Sequence, residues 1–212
     1  MGLERDDVVR AAIDVLDKGG LEGLTMRKVA AELNIRAPSI YWHFPNKHAL
    51  IDGIADALIA NVRIPDKAEG LTWQERLQAI ARELRRCLLA HRDGARLFAG
   101  TYVVTDNVLR VAEPMLAALS EAGLSPEEAA TGSFTLLYMV LGFTAEEQAL
   151  DPTVPEALDL ATRRDAFEQL AATRYPYLLR AAAQIFDTNF DARFEASIDL
   201  IIRGAAAERA GT

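Results

Sequence analysis

Between Thr25 and Lys47 the chain reads Thr-Met-Arg-Lys-Val-Ala-Ala-Glu-Leu-Asn-Ile-Arg-Ala-Pro-Ser-Ile-Tyr-Trp-His-Phe-Pro-Asn-Lys, an order of caps, breakers and apolar positions that leaves the backbone few choices. Thr25 can accept a bond from a backbone N–H of the next turn and so start a helix, and Val29, Ala30 and Leu33 then share one helical stripe. Asn34 ends that stripe, because asparagine tolerates the left-handed conformation that closes a helix. Pro38 fits only the first turn of a following helix, where its missing N–H costs nothing. The spacing predicts a helix over Met26 to Leu33 and a turn into which Ile35 tucks. A second, very short helix then starts near Ala37 and presents Arg36, Ala37, Pro38, Ser39 and Tyr41 outward. Two short helices packed steeply around a tight turn are a helix-turn-helix.

In such a unit the second helix enters the major groove of a duplex by its N-terminal end. The residue types suit that task. Arg27 and Lys28 can reach phosphates or guanine edges, Ser39 and Tyr41 can donate to phosphate oxygens, and the N–H groups of the helix that starts at Asn46–Lys47 offer an anion site. Arg27 and Arg36 are the bidentate donors close enough to read a guanine.

The run Tyr41-Trp-His-Phe-Pro-Asn-Lys47 carries a further signal, joined by Trp73-Gln74, by His91 to Ala95 with Gly100-Thr101, and by Leu200 to Gly204. On these residues the chain resembles the tetracycline-repressor (TetR) family of bacterial transcription regulators, strongly in the head and more loosely beyond Leu50. The resemblance implies a ligand-responsive regulator that binds a palindromic double-stranded operator as a homodimer and is released by a small-molecule effector. The DNA-binding set it implies is Arg27, Lys28, Arg36, Ala37, Pro38, Ser39, Tyr41, Trp42, His43 and Lys47.

The net charge of −8 is unevenly divided. From Met1 to Leu50 seven basic residues face seven acidic ones, so the whole excess of negative charge follows Leu50. Within Met26 to His48 only Glu32 opposes Arg27, Lys28, Arg36 and Lys47, a positive patch on an acidic body. An ordinary solvated face would show the same charges. No run of 18 apolar residues exists, and Met1 to Asp7 lacks the basic and apolar regions of a signal peptide, so a soluble, cytoplasmic protein with no membrane partner is expected. The single cysteine, Cys87, excludes an internal disulfide and reads as a small buried hydrophobe rather than a reactive thiol.

Elsewhere the apolar period is helical, giving an all-α fold: a three-helix helix-turn-helix DNA-binding head (1–48) and a larger helical effector-binding and dimerisation body (49–212). Helix 1, about Glu4 to Lys18, stops at Gly19-Gly20. A helix capped by Asn46 runs toward Arg63 and ends before Pro65, joining head to body as a lever. Helices follow from Trp73 to about His91 and from Val108 to Leu119, the latter stopped by Gly123 and expected to kink at Pro114. Ser125-Pro126-Glu127-Glu128 is a strong helix start. From there to Leu150, and again from Asp191 to Glu208, the chain is apolar on more than one face, which in the resembled family suits a four-helix dimer interface. Asp151 to Pro155 reads as a loop, and Tyr175-Pro176-Tyr177 precedes a helix to Phe186.

The body's expected centre gathers Phe98, Thr101, Tyr102, Met115, Phe134, Tyr138, Met139 and Phe143, with Ile80 and Leu84 on the preceding helix. Such a set at helical spacing is ordinarily core, and only part of it would wall a ligand cavity. Thr101 and Glu146 are the expected orienting groups, since burying them unpaired is costly. The resemblance implies that both match positions facing drug and metal in the family's tetracycline-binding members. A histidine that serves the magnesium–tetracycline chelate there is matched here by Phe98, and Ile80 and Tyr138 replace other polar drug contacts. No metal and no cofactor are therefore expected, and the effector should be largely apolar or aromatic. His43 belongs to the head motif, His48 is expected at the surface, and His91 at a helix end where an imidazolium is favoured.

Two other classes fit the residues less well. An all-α enzyme would need Ser133, His91 and Glu146 to converge, and they follow no motif spacing. A small-molecule-binding protein without DNA function would be consistent with Ala37, a weak base reader.

Overall fold

The computed structural model describes residues 3–151 and 159–208 and is helical throughout, with no strand among the described residues. Helix α1 (Arg5–Gly23) is interrupted at Gly20, whose φ of 64° breaks the helical path as the Gly19-Gly20 pair foretells. Helix α2 (Met26–Glu32) starts at Thr25, whose side chain accepts from Lys28 N at 3.2 Å. It closes on Asn34 at φ 54°, where the N–H groups of Asn34 and Ile35 return to the carbonyls of Ala31 and Ala30. Helix α3 (Ala37–Tyr41) follows with Pro38 in its first turn. Val8, Ala12, Leu16, Leu24, Val29, Ile40 and Phe44 are almost fully buried and hold the three helices together.

Helix α4 (Lys47–Ile59) is capped by Asn46, whose side chain accepts from Ala49 N at 2.9 Å. It packs both on α1 and on the helices of the body. It stops at Ile59, short of the expected Arg63.

In the body, α5 (Trp73–Leu89) starts on a capping box of Thr72 and Glu75, and α6 (Gly94–Ala99), a helix the periodicity did not foretell, follows a tight turn. Helix α7 (Asp106–Glu121) runs on through Pro114 and ends in a Schellman arrangement at Gly123, φ 95°. Helix α8 (Pro126–Ala149) begins on the Ser125–Glu128 capping box. Asp151 is non-helical, and the rest of the loop expected to Pro155 lies outside the described residues. Helix α9 (Leu160–Ala171) precedes two short pieces, α10 (Pro176–Arg180) and α11 (Ala182–Ile185), so the single helix expected to Phe186 is broken at Ala181. Helix α12 (Phe190–Glu208) closes the body against α5 and α8. Cys87 is 4% exposed and burial pushes its thiol up, which fits a core hydrophobe.

Candidate functional site

The head exposes a cationic face. Arg27, Lys28, Arg36 and Lys47 are exposed, and none forms an ion pair with another described residue. Glu32, the one acid among them, is engaged by Lys18 of α1 at 2.6 Å, so its charge does not offset the patch. Lys28 Nζ lies back over the end of α1 beside Gly23, whereas Arg36 stands at the N-terminus of α3. Pro38 is exposed, Ala37 and Ser39 are half-buried, Tyr41 is 50% exposed and Trp42 is 89% exposed, a bare indole beside a charged face. His43 is half-buried, and its carbonyl accepts from Arg5 Nη1 at 3.0 Å while the same guanidinium lies 4.1 Å over the Phe44 ring. That stacking anchors the end of the motif from beneath. Phe44, fully buried against Gly53, is the part of the motif that sequence reasoning left unassigned.

The body forms a cavity of about 380 Å³ between α4, α5, α6, α7 and α8, open to solvent at a mouth where Tyr102 and Val104 are 90% and 85% exposed. Of the residues expected there, Leu84, Phe98, Thr101, Tyr102, Met115, Phe134 and Tyr138 line it. Ile80 is fully buried core, Met139 is half-buried away from it, and Glu146 is exposed on α8. Phe143 packs edge-on to Phe194 at 5.2 Å, close to Arg85, in the contact between α8 and α12. The walls that sequence reasoning missed include Ile59, the α7 face of Val108, Val111, Ala112 and Leu116, and Leu137 and Leu141 on α8. Thr101 uses its hydroxyl proton on the Phe98 carbonyl at 2.8 Å, so its oxygen remains as acceptor. No charged residue lines the cavity, and the described residues contain no His, Cys, Asp and Glu group able to hold a metal. The donor set does not fit a magnesium chelate.

Cavity and head are mechanically joined. Ile59 at the end of α4 is a cavity wall, and Lys47 at its start belongs to the cationic face. Arg110, on α7 between the wall positions Val108 and Val111, donates to the carbonyls of Val62 at 2.8 Å, Ile59 at 3.2 Å and Ala60 at 2.9 Å. A guanidinium on the C-terminal carbonyls both satisfies them and opposes the helix dipole. Thr105, the N-cap of α7, donates to Asp56 of α4 at 2.6 Å.

A second tie runs through α1. Asp17 accepts from Arg92 N and from the His91 ring, each at 3.0 Å, while Asp93, at φ 56°, accepts from Leu21 N at 2.8 Å. Gln148 of α8 clasps the same turn, bonding the carbonyls of Leu88 and His91 and the N–H of Ala95. His91 therefore turns its ring to Asp17 and not to the end of α5 as expected, because the carboxylate is the stronger partner. His48 is exposed, as its sequence suggests. The candidate catalytic groups do not converge: Ser133 lines the cavity, His91 faces α1, and Glu146 sits about 20 Å along α8 from Ser133.

Residues 8–54 match the bacterial regulatory proteins of the tetR family, and residues 64–209 match the tetracyclin repressor-like C-terminal domain. The class A tetracycline repressor from transposon 1721 of Escherichia coli is 38% identical over 210 residues, covering 98% of this chain and 92% of that protein. The Streptomyces coelicolor TetR family protein ActR, solved in complex with actinorhodin, superposes with a TM-score of 0.85 at 30% identity over 98% of this chain and 99% of its own. BioQ, solved with its double-stranded DNA operator, gives a TM-score of 0.71 at 28% identity, covering 97% and 99%. Among the described residues no helix is long and apolar enough to cross a membrane. The chain belongs to the TetR family of bacterial regulatory proteins and is a ligand-responsive, DNA-binding transcriptional repressor.

Proposed function

We propose that the chain acts in the cytoplasm as a homodimer that holds a palindromic operator through the α2–α3 face and releases it when an uncharged small molecule fills the body cavity. The observation that carries this reading is the sharing of α4 between the two sites, with Ile59 in the cavity wall and Lys47 at the head. A ligand that presses on α7 acts on Arg110 and Thr105, which grip the end of α4. The residues divide into a head over 1–48 and a body over 49–212, with α4 as the lever between them. Arg27 and Arg36 read base edges, with Ala37 and Pro38 against the groove floor. Lys28, Ser39, Tyr41, Trp42, His43 and Lys47 position the phosphates.

Dimerisation is supported by what α8 and α12 leave uncovered. Both bury one face in the body, through Leu136, Val140 and Phe194, Ile198, Ile202, yet Phe134, Tyr138 and Leu200 stay 49%, 57% and 64% exposed. No enzymatic activity is assigned, since the groups a catalyst would need are dispersed. Footprinting on DNA flanking its own gene tests the reading: two protected half-sites are expected, centred about 34–36 Å or a multiple apart. Protection without dyad symmetry, or none, contradicts it.

A further inference from the structure

Helix α12 meets α5 along a row of evenly spaced rungs. Gln78 donates to Asp199 at 3.0 Å, Arg82 holds Glu195 through two bonds of 2.6 Å, and Arg85 donates to Asp191 at 2.7 Å, so the two helices run antiparallel. The acids Asp191, Glu195 and Asp199 recur every four residues, and so do Phe194, Ile198 and Ile202, which are buried on the same helix. A pattern with that repeat does not fix its own register. Sliding α12 by four residues, about 6 Å, would put Glu195 on Arg85 and Asp199 on Arg82, and would set Ile198 where Phe194 stands.

Arg85 distinguishes the two arrangements. Its side chain is 12% exposed, forks onto Glu147 of α8 with bonds of 2.8 and 2.7 Å, and lies 4.8 Å above the Phe194 ring, which itself packs edge-on to Phe143. A ring at that place offers the guanidinium a face to stack on, and an isoleucine does not. A slide in the opposite sense would force Phe194 into the fully buried place of Ile198, where the added volume strains the packing. The exposed Arg82 carries no such information, since it finds a carboxylate in either register.

We propose that Arg85 is the positioning residue that sets the register of α12 against α5 and α8, and through it the placement of the outward face that carries Leu200. A buried charge of this kind adds little net stability, yet it discriminates against misaligned packing. Lysine is no substitute, because it keeps the charge but lacks both the fork for Glu147 and the plane for Phe194. The bearing on assembly rests on the reading of α8 and α12 as the dimer face, whereas the register itself belongs to the single chain.

The test is pulsed EPR on the full chain, with nitroxides on Ala90→Cys and Arg203→Cys, both exposed positions, in a Cys87→Ala background diluted into unlabelled protein. Sedimentation of the unlabelled variants accompanies it. The parent should give one distance, and so should Arg82→Gln. Arg85→Lys, and the pair Arg85→Met with Glu147→Gln in which no charge is stranded, should add a population displaced by about 6 Å along α12 and weaken the dimer at least about tenfold. A single unshifted distance in both Arg85 variants, with only a lower melting temperature, marks an ordinary stabilising pair and overturns the proposal, as does a shift in Arg82→Gln. A wild type that sediments as a monomer refutes the dimer reading instead, and the distances then decide the register alone.

Discussion

At the scale of single residues, the head separates cations by what anchors them. Arg36 stands at the start of α3 and Lys47 at the start of α4, both exposed and without an ion pair among the described residues. Lysine serves as a point charge on phosphate, whereas arginine has the planar fork that a guanine edge requires. Lys47→Ala should therefore weaken binding to all duplexes alike and reduce the salt slope by about one. Arg27→Ala or Arg36→Ala should cost about 1–3 kcal/mol and relax preference at one base pair. Fluorescence anisotropy across a salt series and a set of single-base operator variants checks both, and unchanged operator affinity in the two arginine variants would remove them from the reading set. These exposed residues were legible because they follow from the short-range grammar of the turn. The support beneath them, Arg5 stacked on Phe44, was not, since it joins residues 39 positions apart in sequence.

Elements were legible where their ends are local. Thr25, Asn34, Asn46, Gly123 and Ser125 each act within one turn of the helix they bound, and each does what its sequence context predicts. The partner that satisfies the end of α4 was not legible, because it is Arg110, about 50 residues later. For the same reason the clasp of Asp17, His91, Asp93 and Gln148 could not be read from periodicity. Of the cavity, the aromatic and methionine stripe was legible but not its partition: Phe143 and Ile80 have the chemistry of Phe98 and Leu84, and only packing decides which face the void. Between α4 and α5, Glu83 accepts from Arg63 N at 3.2 Å and from Arg86 at 2.8 Å. Its carboxyl is held below the ordinary range by Arg86 foremost, with partial burial opposing it and the Arg63 N–H adding a lesser pull in the same direction as Arg86. A depressed folded-state value means that this stabilisation is present above the ordinary carboxylate pKa, about 4.3, and is lost as pH falls through the folded value. Glu83→Gln should lower the melting temperature at neutral pH and leave a shallower decline in acid. Parallel decline of both proteins below about pH 4 would show that Glu83 contributes nothing to it.

For the whole molecule, the decisive surfaces are those a single chain leaves apolar. Ile198 and Ile202 are 0% and 7% exposed within their own body, so a charge there unfolds the chain and says little about assembly. Leu200, on the same helix and 64% exposed, distinguishes the two effects. Leu200→Glu should shift sedimentation from dimer to monomer while thermal unfolding of the helices remains cooperative, and a wild type that sediments as a monomer at micromolar concentration refutes the dimer. Assembly matters because a repressor that reads two half-sites binds through their spacing, and release then requires only that the two heads shift relative to each other. The cavity would supply that shift through α7, Arg110 and α4. The lever reading is tested most directly by operator anisotropy followed during titration with an uncharged small molecule that calorimetry shows to bind the body cavity, with and without magnesium. It predicts release that follows occupancy of the cavity and is the same in both buffers. Operator retained at full occupancy, or release that requires magnesium, would contradict it.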